Sequence, residues 1–528
     1  MKYLNKVLKC SKLNILIILI YLAFGLYASC TKKQDSHQNH NSISDKNKPV
    51  DKYAQTITLD ELKDHVFYLA SDEMEGRQSG SKGAKAAADY IAKKFIEAKL
   101  KGFFSVDTPY FQKFVMEKKE QLECVLENEC GSVINWKDFL EFNSDFEGEK
   151  EIEIVLLGYG RQADFENVDL KGKLVAFFSG DPESSESDGF VDRLKIIRAF
   201  EHEAAGYLMI TSEEEKFLNY IKLIRPYFPA IRYYQAKNST QSLFAKRKID
   251  IAPSAVAKLF GMSPAEFDKV RKEMKEGRGE KVFETKLMMK TTYRKHGIVP
   301  TENVLGYFEG TDKKDEYLIL TAHYDGRGMD GDVVLNGAND NATGVAAIIE
   351  IAEAFAAAIE DGHHPQRSII FMMPTAEELL AVGSNYYVEN PVVPLEKTIV
   401  DINMDPLGRE DGDRPDLKNH IYIYCSKNGK QDLLDARAKV ENEYASNLKI
   451  VEKEKYAGSD NTSFESWGVP ALAYTTGKSK DNHEPGDDAE KVQYDKLEKV
   501  SRLIFATVWE IANREEGIER KANKQFVF

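Results

Sequence analysis

The chain has 528 residues, of which 42% are hydrophobic and 30% charged, with a formal net charge of -14. At roughly 150 residues per domain the length predicts two or three units with a large buried core, and the composition excludes a disordered, fibrous or polytopic membrane protein. The negative balance repels phosphate backbones and no Lys/Arg stripe overrides it locally, so nucleic acid is not expected as a partner.

The chain opens with Lys2, Lys6, Lys9 and Lys12, an apolar run from Leu13 to Leu26, and then Tyr27-Ala28-Ser29-Cys30. The apolar run is shorter than the ~20 residues of a spanning helix, and small residues follow it, which predicts a secretory signal over residues 1–30. Cys30 looks like the cysteine that bacterial lipoproteins acylate, with Tyr27 departing from the aliphatic residue usual three places earlier. An ordinary signal cut near Ser29, or an uncleaved anchor, is the alternative. Each version exports the protein to a periplasm or cell surface, and lipidation of Cys30 would attach it to a membrane. Residues 31–57 begin with Lys, Gln, Asn, Ser, His and Asp as far as about Val50. That composition cannot bury enough surface to offset ordering entropy, so the segment is expected to be a flexible linker, with His37 and His40 part of it.

From Thr58 to about Phe114 the pattern is helical. Leu62, Val66, Phe67 and Leu69 mark one stretch and Ala84 to Ala98 another, separated by a loop with Glu75-Gly76-Arg77, Gly80 and Gly83. Near Lys150 the texture changes: apolar strands at 153–157 and 174–178 adjoin glycines, and a helix over 192–205, a strand over 207–211 and a charged helix over 263–277 follow. These predict a β-rich module over residues 150–280, inserted into a larger domain of residues 58–149 and 281–528. In the latter, strands at 317–322, 368–373, 398–404, 421–425 and 470–474 alternate with helices such as 345–359 and end in a helix over 495–512. The alternation implies an α/β class fold, a doubly wound mixed or mostly parallel sheet with helices on both faces, which binds ligands beyond the carboxyl ends of its strands. Cys124 and Cys130 could close a small loop in an oxidising compartment, and Cys425 stands alone in an apolar run.

Chemistry-bearing residues gather at the ends of these strands. The first ends in His323-Tyr324-Asp325, which places His323 and Asp325 on one side of an extended backbone. A carboxylate there suits the second nitrogen of a metal-bound imidazole, although an HxD alone is more often structural. Asp340 lies in Gly337-Ala338-Asn339-Asp340-Asn341 before a helix, where a carboxylate either caps the helix or bridges two metals. Glu377 and Glu378 are adjacent after an apolar strand, a repulsion that a divalent cation offsets, leaving one glutamate to ligate and its neighbour to act as base. Asp401 and Asp405 are both candidates on the next strand, Asp405 being at its exit, and His483 lies in the loop before the last helix. Each residue alone has a bland reading. Together, as nitrogen and oxygen donors without cysteine, they suit catalytic zinc with open positions.

In order and context, His323-Tyr324-Asp325, Gly337 to Asn341, Glu377-Glu378, Asn403 to Gly408 and His483 resemble the motifs of the co-catalytic di-zinc aminopeptidases, relatives of glutamate carboxypeptidase. The resemblance implies the zinc exopeptidase fold and two zinc ions, one on His323 and Asp405, the other on Glu378 and His483, bridged by Asp340. It implies Glu377 as general base, Asp325 as the partner of His323, Tyr456 as the oxyanion stabiliser and a cis peptide after Asp340. Residues 150–280 are similar to the protease-associated domain often inserted in this family, which in relatives covers the site and limits substrate size. Gly326, Arg327 and Asn461 depart from common family residues at positions that are not ligands. The expected activity is that of an exported zinc exopeptidase acting on peptides, an aminopeptidase, with no protein partner. The resemblance leaves as alternatives a carboxypeptidase gripping a substrate carboxylate through Arg327 or Arg409, a single-zinc glutaminyl cyclase, and an inactive receptor-like module.

Overall fold

The computed structural model describes residues 48–520 apart from 142–146, 185–187, 226–230, 236–246, 279–281, 455 and 457. The expected signal, Cys30, His37 and His40 lie outside the described residues. The expected flexible linker to residue 57 is corrected at its end, because a short helix over Pro49–Ala54 buries Tyr53 and Ala54 and Ile57 is buried after it. Local signals start the next two helices. Thr58 caps α1 (Leu59–Leu69) by accepting from the Glu61 amide, and Ser81 caps α2 (Lys82–Glu97) by accepting from Ala84. Both helices turn an apolar stripe inward, Leu62, Val66 and Leu69 on α1 and Ala84, Ala88, Ile91 and Phe95 on α2. The helical expectation as far as Phe114 fails beyond Glu97, because the chain from Phe111 is drawn into a long strand, β1 (Phe111–Asn128).

There follow β2 (Gly148–Leu156), β3 (Leu174–Phe178), α3 (Asp188–Glu201), β4 (Gly206–Ile210), β5 (Arg247–Ile251) and α4 (Pro264–Lys275). Strands β2 to β5 run parallel in that order. Their apolar cluster takes in Ile154, Leu156, Leu174, Phe178, Leu208 and Ile249, and also Cys124, Leu126, Phe139 and Leu140. The core of this β-rich part therefore begins on β1, ahead of the change in composition near Lys150. Cys124, which is buried, and Cys130, which is exposed, are not joined to each other.

Strand β6 (Phe283–Phe308) pairs antiparallel with β2 over Phe283 to Thr291 and with β1 over Met288 to Val304. One strand thus runs from the β-rich part into the main sheet. Lys290, Arg294, Lys295 and His296 give its middle no apolar run, and it is extended because the ladder to β1 supplies its partners.

The main sheet is built from β7 (Lys313–Thr321), α5 (Thr343–Glu360), β8 (Arg367–Met373), β9 (Thr398–Met404), β10 (His420–Cys425), α6 (Lys430–Tyr444), β11 (Lys449–Lys453), β12 (Ala471–Thr475) and α7 (Tyr494–Asn513). Its order is β11-β10-β12-β9-β7-β8-β6. Strands β8, β7, β9 and β12 are parallel neighbours, β6 is antiparallel to β8, and β10 is antiparallel to β12 but parallel to β11. The expected mixed, doubly wound sheet is what forms. Successive side chains of a strand face opposite ways, and both faces are covered. Leu318, Leu320, Ile369 and Phe371 pack with α1, α2, α5 and α7, whereas Ile319, Ile370 and Met372 meet Tyr387, Leu395 and Phe464. Burial on both sides is why these strands read as unbroken apolar runs. It also leaves the strand ends as the place where polar side chains converge.

Candidate metal centre

Four consecutive features of the main sheet deliver the predicted residues to one point. His323 follows the carboxyl end of β7, Glu377 and Glu378 follow β8, Asp405 follows β9, and His483 lies in the loop after β12. Asp340 comes from the turn that precedes α5, with a cis peptide to Asn341. His323 Nε2 is 3.2 Å from Asp340 Oδ1, 3.5 Å from Asp405 Oδ1 and 3.8 Å from Glu377 Oε2. His483 Nε2 is 3.1 Å from the other oxygen of Asp340 and 3.2 Å from Glu378 Oε2. Donor atoms of His323, Asp340 and Asp405 lie within 4.8 Å of one another, as do those of Asp340, Glu378 and His483. The two triplets share Asp340. Asp401 stays out of both, buried within β9, where it accepts from Thr321 Oγ1 at 2.8 Å. Of the two acids on that strand, the one at its exit joins the cluster.

The remaining predicted residues surround these donors. Asp325 is fully buried, and its carboxylate accepts from the Glu377 amide and from the Ser79 hydroxyl, each at 3.1 Å. Its carboxylate is 3.6 Å from His323 Nδ1, while its main-chain carbonyl is nearer, at 3.1 Å. Tyr456 donates its hydroxyl to the Asp405 carbonyl at 2.6 Å.

Supporting side chains hold the loops in register. Asn341 Nδ2 donates to the Met404 carbonyl at 2.8 Å, and Asn339 Oδ1 accepts from Gly408 at 2.9 Å, tying the Asp340 turn to the exit of β9. Gly344 is required there, since a Cβ would stand 2.4 Å from Asn341 Oδ1 and 2.6 Å from the Met404 carbonyl. Asp487 accepts from the amides of Asn339 and Asp340, and Asn482 donates to Asp340 Oδ2. These contacts were hidden in sequence: Asp487 and Asn482 flank His483 in a polar loop, and only that proximity pointed to them. Arg77 and Ser79, from the loop between α1 and α2, carried no signal beyond their neighbouring glycines.

The electrostatics follow from crowding several acids in a buried space. Burial, with Asp405 and Glu378 nearby, pushes the Glu377 carboxyl well above its usual range, partly offset by His323, and burial likewise raises Glu378. Burial alone would lower His483, but Asp340 and Glu378 lift it to about 9. Asp340 is held below its ordinary value despite burial, by the His323 and His483 imidazoles that face its two oxygens. His323 Nε2 and Glu378 Oε1 are buried and make no hydrogen bond. Two imidazoles and three carboxylates in triplets around a shared aspartate, with donors unsatisfied within the protein, fit divalent metal and suit zinc among the common ions.

Residues 303–508 match the family model of peptidase family M28. That segment is similar to the M28 peptidases. The family is one of zinc metallopeptidases, and its segment here runs from β6 to α7 and includes every donor above. A protein named probable zinc metalloprotease from Pyricularia oryzae is 25% identical over 264 residues, 41% of this chain and 50% of that protein. A glutamate carboxypeptidase 2 homolog from Caenorhabditis elegans is 30% identical over 190 residues, 33% of this chain and 24% of that protein. The chain thus spans about half or less of the length of these curated relatives. Among solved structures, an aminopeptidase from Aneurinibacillus sp. strain AM-1 is similar at 18% identity, covering 89% of this chain and 98% of that one with a TM-score of 0.47.

Proposed function

We propose that this protein is an exported, zinc-dependent aminopeptidase that binds two metal ions. One ion is assigned to His323 and Asp405, the other to Glu378 and His483, with Asp340 between them. The observation that carries the reading is the pair of donor triplets sharing Asp340 with Glu377 at their edge. Zinc, when bound, lowers the pKa of water and polarises a carbonyl. Glu377 is the base that takes a proton from the attacking water and passes it to the leaving amine. Its main chain is fixed by Asp325, which also holds the His323 ring in the orientation a ligand needs. Tyr456 is assigned to stabilising the oxyanion, its hydroxyl being anchored beside Asp405. The β-rich part centred on residues 150–280 is proposed to act as a protease-associated module restricting substrate size.

Which end of the peptide is removed is tested with peptides bearing free and N-acetylated amino termini. Acetylation is expected to abolish cleavage, and equal hydrolysis of both forms overturns the aminopeptidase assignment. Carboxypeptidase action would need a cation for the substrate carboxylate. Arg409 is engaged by Asp481 at 2.8 Å and faces Asp487 at 3.8 Å, whereas Arg327, 40% exposed, reaches only Glu378 at 3.3 Å. Loss of cleavage on C-terminal amidation, with indifference to acetylation, would select that reading and Arg327 with it. Export with lipidation at Cys30 is proposed from the residues around it. Cys30→Ser is expected to move the protein from the membrane to the soluble exported fraction, and unchanged membrane attachment sinks the lipoprotein assignment.

A further inference from the structure

Arg77 lies outside the segment matched to the peptidase family, yet its side chain bonds the main chain beside His323 and Asp325 and before the turn that carries Asp340. Its side chain is 1% exposed. Nε donates to the Tyr324 carbonyl at 2.9 Å, Nη1 to the carbonyls of Leu69 and Asn336, and Nη2 to Gly337 at 2.9 Å. Tyr324 sits between His323 and Asp325, while Asn336 and Gly337 precede the turn that carries Asp340. One guanidinium therefore closes both ends of the loop 325–337, which includes the exposed hairpin Gly328–Asp330 and Val333–Leu335.

The backbone delivering this arginine is shaped for close approach. Glu75, Gly76 and Arg77 have φ of 49°, 62° and 51°, the left-handed region that non-glycine residues occupy at a cost and only where surroundings impose it. A Cβ on Gly76 would lie 2.2 Å from the Gly328 carbonyl and 2.6 Å from that of Leu335. Burial pulls the guanidinium down to about 10, and Asp325, Asp487, Asp340 and Glu378 act to keep it charged. Its five donors in a rigid fork match several carbonyls at once, which an ammonium cannot do.

We propose that Arg77 is the positioning residue of the metal centre: its fork fixes the spacing between the strand-end segment bearing His323 and Asp325 and the turn bearing Asp340, and its charge offsets their carboxylates. The proposal rests on the di-zinc reading above. Arg367 provides a matched comparison, because it too is 1% exposed and forks to the carbonyls of Ile511, Arg514 and Glu516, but at the opposite end of β8.

The test compares Arg77→Lys with Arg367→Lys in the whole protein. Zinc affinity is measured against a competing chelator and amide hydrogen exchange is followed over residues 324–341. Arg77→Lys is expected to weaken zinc binding by about 10- to 100-fold, the usual effect of losing a group that orients ligands, to speed exchange in that loop, and to regain kcat at saturating zinc. Arg367→Lys is expected to leave zinc affinity and loop exchange as in the wild type. If Arg77→Lys fails to fold, Asn336→Ala decides. It removes the same loop's bonds to the Ala70 carbonyl and Asp72 from a partly exposed position and should weaken zinc binding in the same direction. Wild-type zinc affinity in the Arg77 or Asn336 variant that folds, or an equal loss in Arg367→Lys, overturns the proposal. A wild-type protein that binds no zinc would refute the functional reading instead, and loop exchange alone would then judge Arg77.

Discussion

Replacing Glu377 with glutamine is expected to lower turnover by about 100- to 10,000-fold, the range associated with loss of a positioned general base, while zinc content stays at the wild-type level. Glutamine keeps the shape and the main-chain bond to Asp325 but cannot accept the proton. The side chain belongs to neither donor triplet, and its nearest ring nitrogen, His323 Nε2, is 3.8 Å away. Metal binding therefore has no reason to suffer. The measurement is kcat on a cleavable peptide together with zinc per folded chain. Turnover near that of the wild type removes Glu377 from its role, and a parallel loss of zinc makes it a ligand in place of a base.

The second large effect concerns Asp340. Its two oxygens face the two histidines separately, Oδ1 toward His323 and Oδ2 toward His483, so Asp340→Asn removes charge from both triplets at once. Zinc content is expected to fall from about two ions per chain to below one, with loss of measurable turnover. His483→Ala touches only one triplet and should cost about one ion. These stoichiometries follow from assigning both ions to sites built of three protein donors. Because a ligand that binds only the folded state raises stability, chelation should lower the wild-type Tm and leave that of Asp340→Asn unchanged. Two zincs retained in Asp340→Asn would defeat the bridging assignment.

Most of the main sheet was legible from residue pattern. The run Thr398 to Met404 is a strand from end to end, and the expected helix 495–512 differs from α7 by one residue at each end. Apolar runs buried on both faces need no partner to be recognised. Strand β6 was a different matter. Its segment around Lys290 to His296 is charged and gains its conformation from the ladder to β1, whose own residues had looked helical near Phe111. Pairing between strands about 170 residues apart is a property of the fold and leaves no local periodicity behind.

The metal centre divides along the same line. Residue chemistry by itself determined the donor types and their placement at strand ends, because acids and histidines that close apolar strands stand out against the runs before them. Residue chemistry left Asp401 and Asp405 both open and the family resemblance favoured Asp405, with Asp340 as the bridge; the tertiary structure brings those donors together, and it alone decided that Asp487, Asn339 and Arg77 hold the loops. Those choices depend on distances between residues tens to hundreds of positions apart, set when the parallel strands bring their carboxyl ends to one edge, and a distance of that kind has no signature in linear spacing.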